Sequence, residues 1–263
     1  IGWCDWSSDV CSSDLLFSSL AQAAVVYSVN SFTNSLGGGV ASAHLISNAN
    51  WTAEYGTAAS ITGANPNDAP IKGGLYDGAS SAAPFALTDY IYIQKAGIDN
   101  QATLSQDAML RTTTLPLGAF APSSYSMLTA TWHRNGQSAA SIRFMVQTGG
   151  SWYISDTNIN GTGNGTVTYP ALSLDLLAST WTNLGANVSF GGTTGITYAT
   201  LFGGGQTITG IGFYIDDLVV ETGTNASTAR FDNLAIDGTL IPEPSTSLLG
   251  VFGFSLIVFR RKK

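Results

Sequence analysis

Four oxygen-bearing residues near the end of the chain are of the types that calcium takes: Asp216 and Asp217 in Gly210–Asp217, and Asp232 and Asn233 in Ala229–Asp237. Calcium gathers about six to eight oxygens from carboxylates, amides and carbonyls. The four could supply part of a structural site if their strands are neighbours, or they could simply end strands and face water. A second set is aromatic: Trp51, Tyr90, Tyr92, Trp132, Trp152, Tyr153, Trp181 and Tyr214. Flat rings stack on the apolar C–H faces of sugars, so an exposed row on a sheet is a polysaccharide platform, and a buried row is core. Tyr90 and Tyr92 lie two apart and share one face of a strand. With Trp152 and Tyr153 they are the candidate glycan contacts.

Catalytic groups are sparse. The two histidines, His44 and His133, stand in no His-x-x-x-His, Gly-x-Ser-x-Gly or phosphate-loop pattern. His44 reads as a packed or surface strand residue, and His133, beside Arg134, as a strand end facing solvent. Between residues 24 and 240 the glutamates are Glu54 and Glu221 alone, and no spacing pairs them. A glycosidase holds two carboxylates about 5–9 Å apart. Asp216 and Asp217 are adjacent, so on a strand they point to opposite faces. The expectation is no catalytic site. Asn50, Asn160, Asn164, Asn187 and Asn225 begin glycosylation-type triplets, which a chain this rich in Asn, Ser, Thr and Gly produces by chance.

The elements that must position these residues are strands. Apolar and polar residues alternate in Phe85–Ile93, Met127–His133, Ser141–Gln147, Ile211–Ile215 and Phe231–Ile236. Gly, Asn, Ser and Thr clusters separate them. No amphipathic helix of ordinary length appears; the best stretch, Asp99–Arg111, reads as loop or one helical turn. On Ser141–Gln147 the side chains of Ile142, Phe144 and Val146 share one face, while Arg143, Met145 and Gln147 share the other. The Thr148–Ser151 connection turns that strand back into Trp152 and Tyr153. The class expected is all-β, an antiparallel β-sandwich or jelly roll, over residues 24–240. That span has no cysteine, and six Lys and Arg stand against thirteen Asp and Glu. With no basic patch, nucleic acid is excluded as a partner. A neutral polymer or calcium suits the charge better.

The two ends carry their own patterns. Pro242-Glu243-Pro244 is followed by the apolar run Leu248–Phe259 and the basic end Arg260, Arg261, Lys262 and Lys263. The run, as a helix, reaches about 18 Å, short of the ~30 Å hydrocarbon core. The cations would hold the tail on the cytoplasmic side of a membrane. Residues 241–263 resemble the PEP-CTERM sorting signal, a short hydrophobic sorting helix behind a Pro-Glu-Pro motif. The resemblance implies recognition by exosortase, transient retention in the inner membrane, then release to the cell surface or extracellular matrix. At the other end, Asp5–Leu15 resembles a common short-read sequencing adapter translated in one frame. Residues 1–15, with Cys4 and Cys11, are therefore set aside from the fold. Leu16–Ala23 ends in Ala21-Gln22-Ala23, a small-x-small cleavage site, and reads as the remnant of a signal peptide before an apolar first strand.

Two stretches carry a resemblance for the body. The strand–hairpin–strand unit Leu128–Ile154 and the closing strand Ala229–Asp237 are similar to the jelly-roll bodies of many PEP-CTERM proteins and of carbohydrate-binding modules. The resemblance implies an exported matrix protein that binds extracellular polysaccharide without catalysis, with structural calcium near Asp232 and Asn233. A polysaccharide-active enzyme on the same scaffold and a purely structural coat protein are the alternatives. An enzyme would converge acids in a concave cleft; a binder would show an aromatic strip.

Overall fold

The computed structural model describes residues 23–29, 42–44, 49–55, 59–61, 71–79, 88–95, 107–136, 141–159, 167–184, 194–216 and 227–241. Residues 1–22, Asp217 and the segment from Pro242 to Lys263 lie outside the described residues. Among the described residues no helix is long and apolar enough to cross a membrane.

The chain runs through β1 (Ala23–Val29), β2 (Ser42–His44), β3 (Thr52–Tyr55), β4 (Ala59–Ile61), β5 (Ile71–Ala79), β6 (Thr88–Lys95) and β7 (Ala108–Thr112). It continues through β8 (Tyr125–Gly136), β9 (Ser141–Thr148), β10 (Ser151–Ser155), β11 (Val167–Asp175) and β12 (Thr180–Asn183). After β13 (Ile196–Thr197) comes a short helix α1 (Tyr198–Phe202), then β14 (Gly210–Asp216) and β15 (Ser227–Leu240). These strands form two sheets, in order β11-β8-β15-β6-β5-β2 with β1 also on β15, and β13-β12-β10-β9-β14-β7-β3-β4. The central pairings β15–β8 and β14–β9 are antiparallel, as is the β9–β10 hairpin. The molecule is therefore an all-β antiparallel sandwich.

Alternation explains why the sheets face each other. Ile211, Phe213 and Ile215 of β14, Ile142, Phe144 and Val146 of β9, and Phe231, Leu234 and Ile236 of β15 all enter one buried cluster. At its centre the Phe213 ring stacks on Phe231 with centroids 4.1 Å apart, and Trp132 stacks on Phe144 at 5.6 Å. Such pairs add about 0.5–1.5 kcal/mol beyond the area they bury. Met127–His133, Ser141–Gln147, Ile211–Ile215 and Phe231–Ile236 each fall on a strand, as do residues 88–93 of Phe85–Ile93, whose first three residues lie outside the described ones. Of Asp99–Arg111, read as loop or one helical turn, residues 99–106 lie outside the described ones, and 108–111 instead belong to β7. That strand is flanked by β14 and β3, and with Ala108, Met109 and Leu110 all buried it shows no polar face from which to read a period.

The hairpin turn lies where the sequence placed it. Gly149 at φ 56° and Gly150 at φ 79° join β9 to β10, the two positive values that a two-residue turn matched to strand twist requires. Helix α1 is capped by Thr197, whose side chain accepts from the Thr200 amide.

Burial of Tyr27 pushes its phenol from 10.0 up to about 12, opposed by a hydrogen bond from Trp51. A raised pKa keeps the folded phenol neutral while the unfolded one ionises. Its contribution is complete below pH 10.0 and is lost as pH climbs toward about 12. Urea unfolding across that window should show falling stability, with a shallower slope in Tyr27→Phe. An equal slope in both proteins would contradict the assignment.

Candidate functional site

The outer face of the second sheet is built around missing side chains. On β14 the residues opposite Ile211 and Phe213 are Gly210 and Gly212. A Cβ at Gly212 would stand 2.4 Å from the Leu110 carbonyl oxygen, and one at Gly210 2.9 Å from both the Thr112 carbonyl oxygen and Trp152 Cη2. The Trp152 indole therefore lies with its edge against bare backbone. Arg111, paired in register with Gly212, sets its guanidinium 5.1 Å above the Trp152 ring. The same guanidinium donates to the Glu54 carboxylate from β3 in an ion pair. Cation and ring attract through the ring's quadrupole, so the three side chains hold one another in place.

Around them is a cleft of about 460 Å³, to which Asn50, Thr52, Glu54, Arg111, Gln147 and Trp152 contribute. The Gln147 carboxamide oxygen accepts from the Thr209 hydroxyl at 3.0 Å, which fixes the side chain. Next to the cleft, Met109, Met145, Ile154 and Tyr214 form a second buried cluster with Trp152. Burial raises the pKa of Tyr214, and its hydrogen bond to Asp107 and the charges of Asp107 and Asp216 raise it further, against Arg143. Arg143 donates to the carbonyls of Ser155 at 3.2 Å and Asp156 at 2.6 Å.

On the other flank of the hairpin is a cleft of about 540 Å³, lined by Thr148, Tyr153, Asn183, Ile196, Leu201 and Gln206 among others. Trp152 and Tyr153 thus belong to different clefts, as neighbours on a strand must.

The remaining aromatic candidates divide. Trp51, Trp132, Trp181 and Tyr214 are fully buried, so they are core and no platform. Tyr90 and Tyr92 share the outer face of the first sheet, Tyr90 buried and Tyr92 half-buried, with rings 6.1 Å apart at 64° and the Arg230 guanidinium 5.2 Å over Tyr90. The four proposed glycan contacts, Tyr90, Tyr92, Trp152 and Tyr153, do not make one strip. The oxygen set is also divided. Asp216 lies on the outer face of the second sheet, and Asp232 and Asn233 in β15 on that of the first, while Asp217 is outside the described residues. Among the described residues no three His, Cys, Asp or Glu side chains converge as a metal site. Asn233 instead forms a bulge at φ 50°, with its amide N–H donating to the Asp232 carboxylate at 2.7 Å and its side chain to His133 Nδ1 at 3.0 Å. His133 therefore does not end a strand in solvent. β8 continues to Gly136, and the imidazole is half-buried against Asn233. The sorting residues Pro242, Glu243, Pro244, Arg260, Arg261, Lys262 and Lys263 lie outside the described residues.

Sequence reasoning missed Glu54, Arg111 and Gln147. The signal was present in Gly210-Ile211-Gly212: two glycines two apart in a strand leave one face bare for a close approach.

No family profile and no curated protein matches the sequence. Among solved structures, the chain is similar to a family 11 carbohydrate-binding module from Clostridium thermocellum, in complex with a β-1,3-1,4-mixed-linked tetrasaccharide. The TM-score is 0.39 at 14% identity, over 84% of this chain and 100% of that one. It is also similar to an exo-β-agarase at a TM-score of 0.37 and 12% identity, over 69% of this chain and 25% of the agarase chain.

Because Asp216 and Asp232 sit on opposite outer faces, Asp216→Asn and Asp232→Asn should change unfolding free energy additively, within about 0.5 kcal/mol. A coupling above about 1 kcal/mol in the double-mutant cycle would mean that the two acids share an ion.

Proposed function

We propose that this chain is an exported, non-catalytic protein of the cell surface or extracellular matrix that binds polysaccharide in the cleft over Gly210 and Gly212. The observation that carries this reading is the fixed trio of Trp152, Arg111 and Glu54, with Gln147 beside it. Guanidinium, carboxylate and carboxamide are planar groups that bond two adjacent hydroxyls at once, and Trp152 lines the cleft beside them as its apolar wall. Their mutual contacts orient them before a ligand arrives, which lowers the ordering cost of binding. The chain's acidic balance favours a neutral polymer over an anionic one. Glu54 is committed to Arg111, and it is the cleft's one carboxylate among the described residues. Glycoside hydrolysis uses two, so the reading is binding and not cleavage.

The purified full chain on a glycan array should retain one class of polysaccharide, and Arg111→Met should weaken that binding at least tenfold. Tenfold is about 1.4 kcal/mol, the scale of one charge-assisted hydrogen bond. No retained glycan, or full binding by Arg111→Met, would refute the cleft.

The C-terminal segment supports the export half of the proposal. In this reading exosortase acts at or near Pro242-Glu243-Pro244, while Leu248–Phe259 and the four cations hold the chain transiently in the inner membrane. Replacing the three motif residues by alanine should leave unprocessed protein in the membrane fraction of an exosortase-bearing host. Normal processing would refute the signal.

A further inference from the structure

The second cleft differs from the first in its chemistry. It has a volume of about 540 Å³, within the range of ligand sites, and none of its described lining residues is charged. Its apolar surface comes from Ile196, Leu201 and the half-buried Tyr153 ring. Its polar groups include the carboxamides of Asn183 and Gln206 and the hydroxyls of Thr148, Tyr153 and Thr200. Asn183 is held beside Tyr153 by the β10–β12 register, and Gln206 reaches Gly149 from the segment after α1, its Oε1 lying 3.8 Å from where a Gly149 Cβ would stand. The cleft is thus assembled from three separate stretches, each fixed by strand pairing, turn or helix cap.

Thr148 supplies an independent observation. It is 4% exposed, and its hydroxyl has no hydrogen-bond partner among the described residues. Buried hydroxyls are nearly always partnered, so this one keeps a hydrogen bond to give or accept at the cleft wall. Carboxamides and hydroxyls both donate and accept, which matches a polyol, whose every hydroxyl does the same. An anion would find no cation there, and a metal ion no carboxylate.

The geometry points to a second binding site, for one neutral sugar unit, between Tyr153, Asn183, Thr148 and Gln206. It stands across the Gly149–Gly150 turn from the Trp152 cleft and does not depend on it. A glycan long enough to cross the turn would engage both sites, and the second engagement would be intramolecular.

The test is calorimetric titration of the full chain with three neutral tetrasaccharides, of β-linked glucose, galactose and mannose, and with a tetra-uronate of matched linkage. The variants are Asn183→Ala/Gln206→Ala, Thr148→Val, which keeps shape while removing the hydroxyl, and Arg111→Met. At least one neutral tetrasaccharide should bind in a manner that Asn183→Ala/Gln206→Ala weakens tenfold or more and Thr148→Val weakens measurably. The uronate should bind that site at least tenfold more weakly. Loss of this binding in Arg111→Met alone would overturn the second site and leave the first. Its survival in Arg111→Met, with no other binding, would support the second site while the first reading fails. No neutral binding, or equal binding of the uronate, overturns the inference.

Discussion

Strand β14 carries the constraint on which both faces of the second sheet depend. To one side it sends Ile211, Phe213 and Ile215 into the core, where Phe213 stacks on Phe231 and meets Trp132 at 5.4 Å. To the other it sends nothing at positions 210 and 212. A methyl at 212 would sit 2.4 Å from a backbone oxygen, which no side-chain rotation relieves. The absence is therefore built in, and long side chains from β7 and β10 close on the bare backbone. Trp152 and Arg111 lie where they do because Gly210 and Gly212 let them, and Glu54 is held by Arg111 in turn.

This arrangement departs from the usual economy of an antiparallel sheet, which packs one face and wets the other. Here the outer face keeps its own buried cluster, with Met109, Met145, Ile154 and Tyr214 hardly exposed. Two packed faces give β14 and β9 a rigid setting, and rigid strands hold binding groups more accurately than loops do. Residues 24–240 contain no cysteine, so that rigidity comes from packing without disulfides. The tightly turned β9–β10 hairpin extends the same rigidity to its tip, with one cleft on each flank.

The sandwich was legible where large apolar residues alternate with polar or small ones along a strand. Ile142, Phe144 and Val146 against Arg143, Met145 and Gln147 is such a case, and the two glycines of the hairpin another. β7 was not legible, because Ala108, Met109 and Leu110 are apolar in succession and leave no alternation to read. The site was legible in part. Trp152 and Tyr153 were singled out as aromatic, and the structure places each against a cleft, yet Tyr90 and Tyr92 proved to lie on the other sheet. Arg111 and Glu54 are 57 residues apart in sequence, and only the β3–β7 pairing joins them. The described members of the oxygen set are separated for the same reason in reverse: Asp216 and Asp232 are near in sequence, but consecutive strands β14 and β15 belong to different sheets.

The central claim is that ligand meets the protein at Trp152, and the indole N–H resonances of the ¹⁵N-labelled full chain test it directly. The titrant is the polysaccharide class retained on the glycan array. The expected result is that the Trp152 indole signal, assigned by its disappearance in Trp152→Phe, shifts with saturation, while those of Trp51, Trp132 and Trp181, which pack in the main core, stay in place. A silent Trp152, or shifts spread evenly over the core tryptophans, would contradict it.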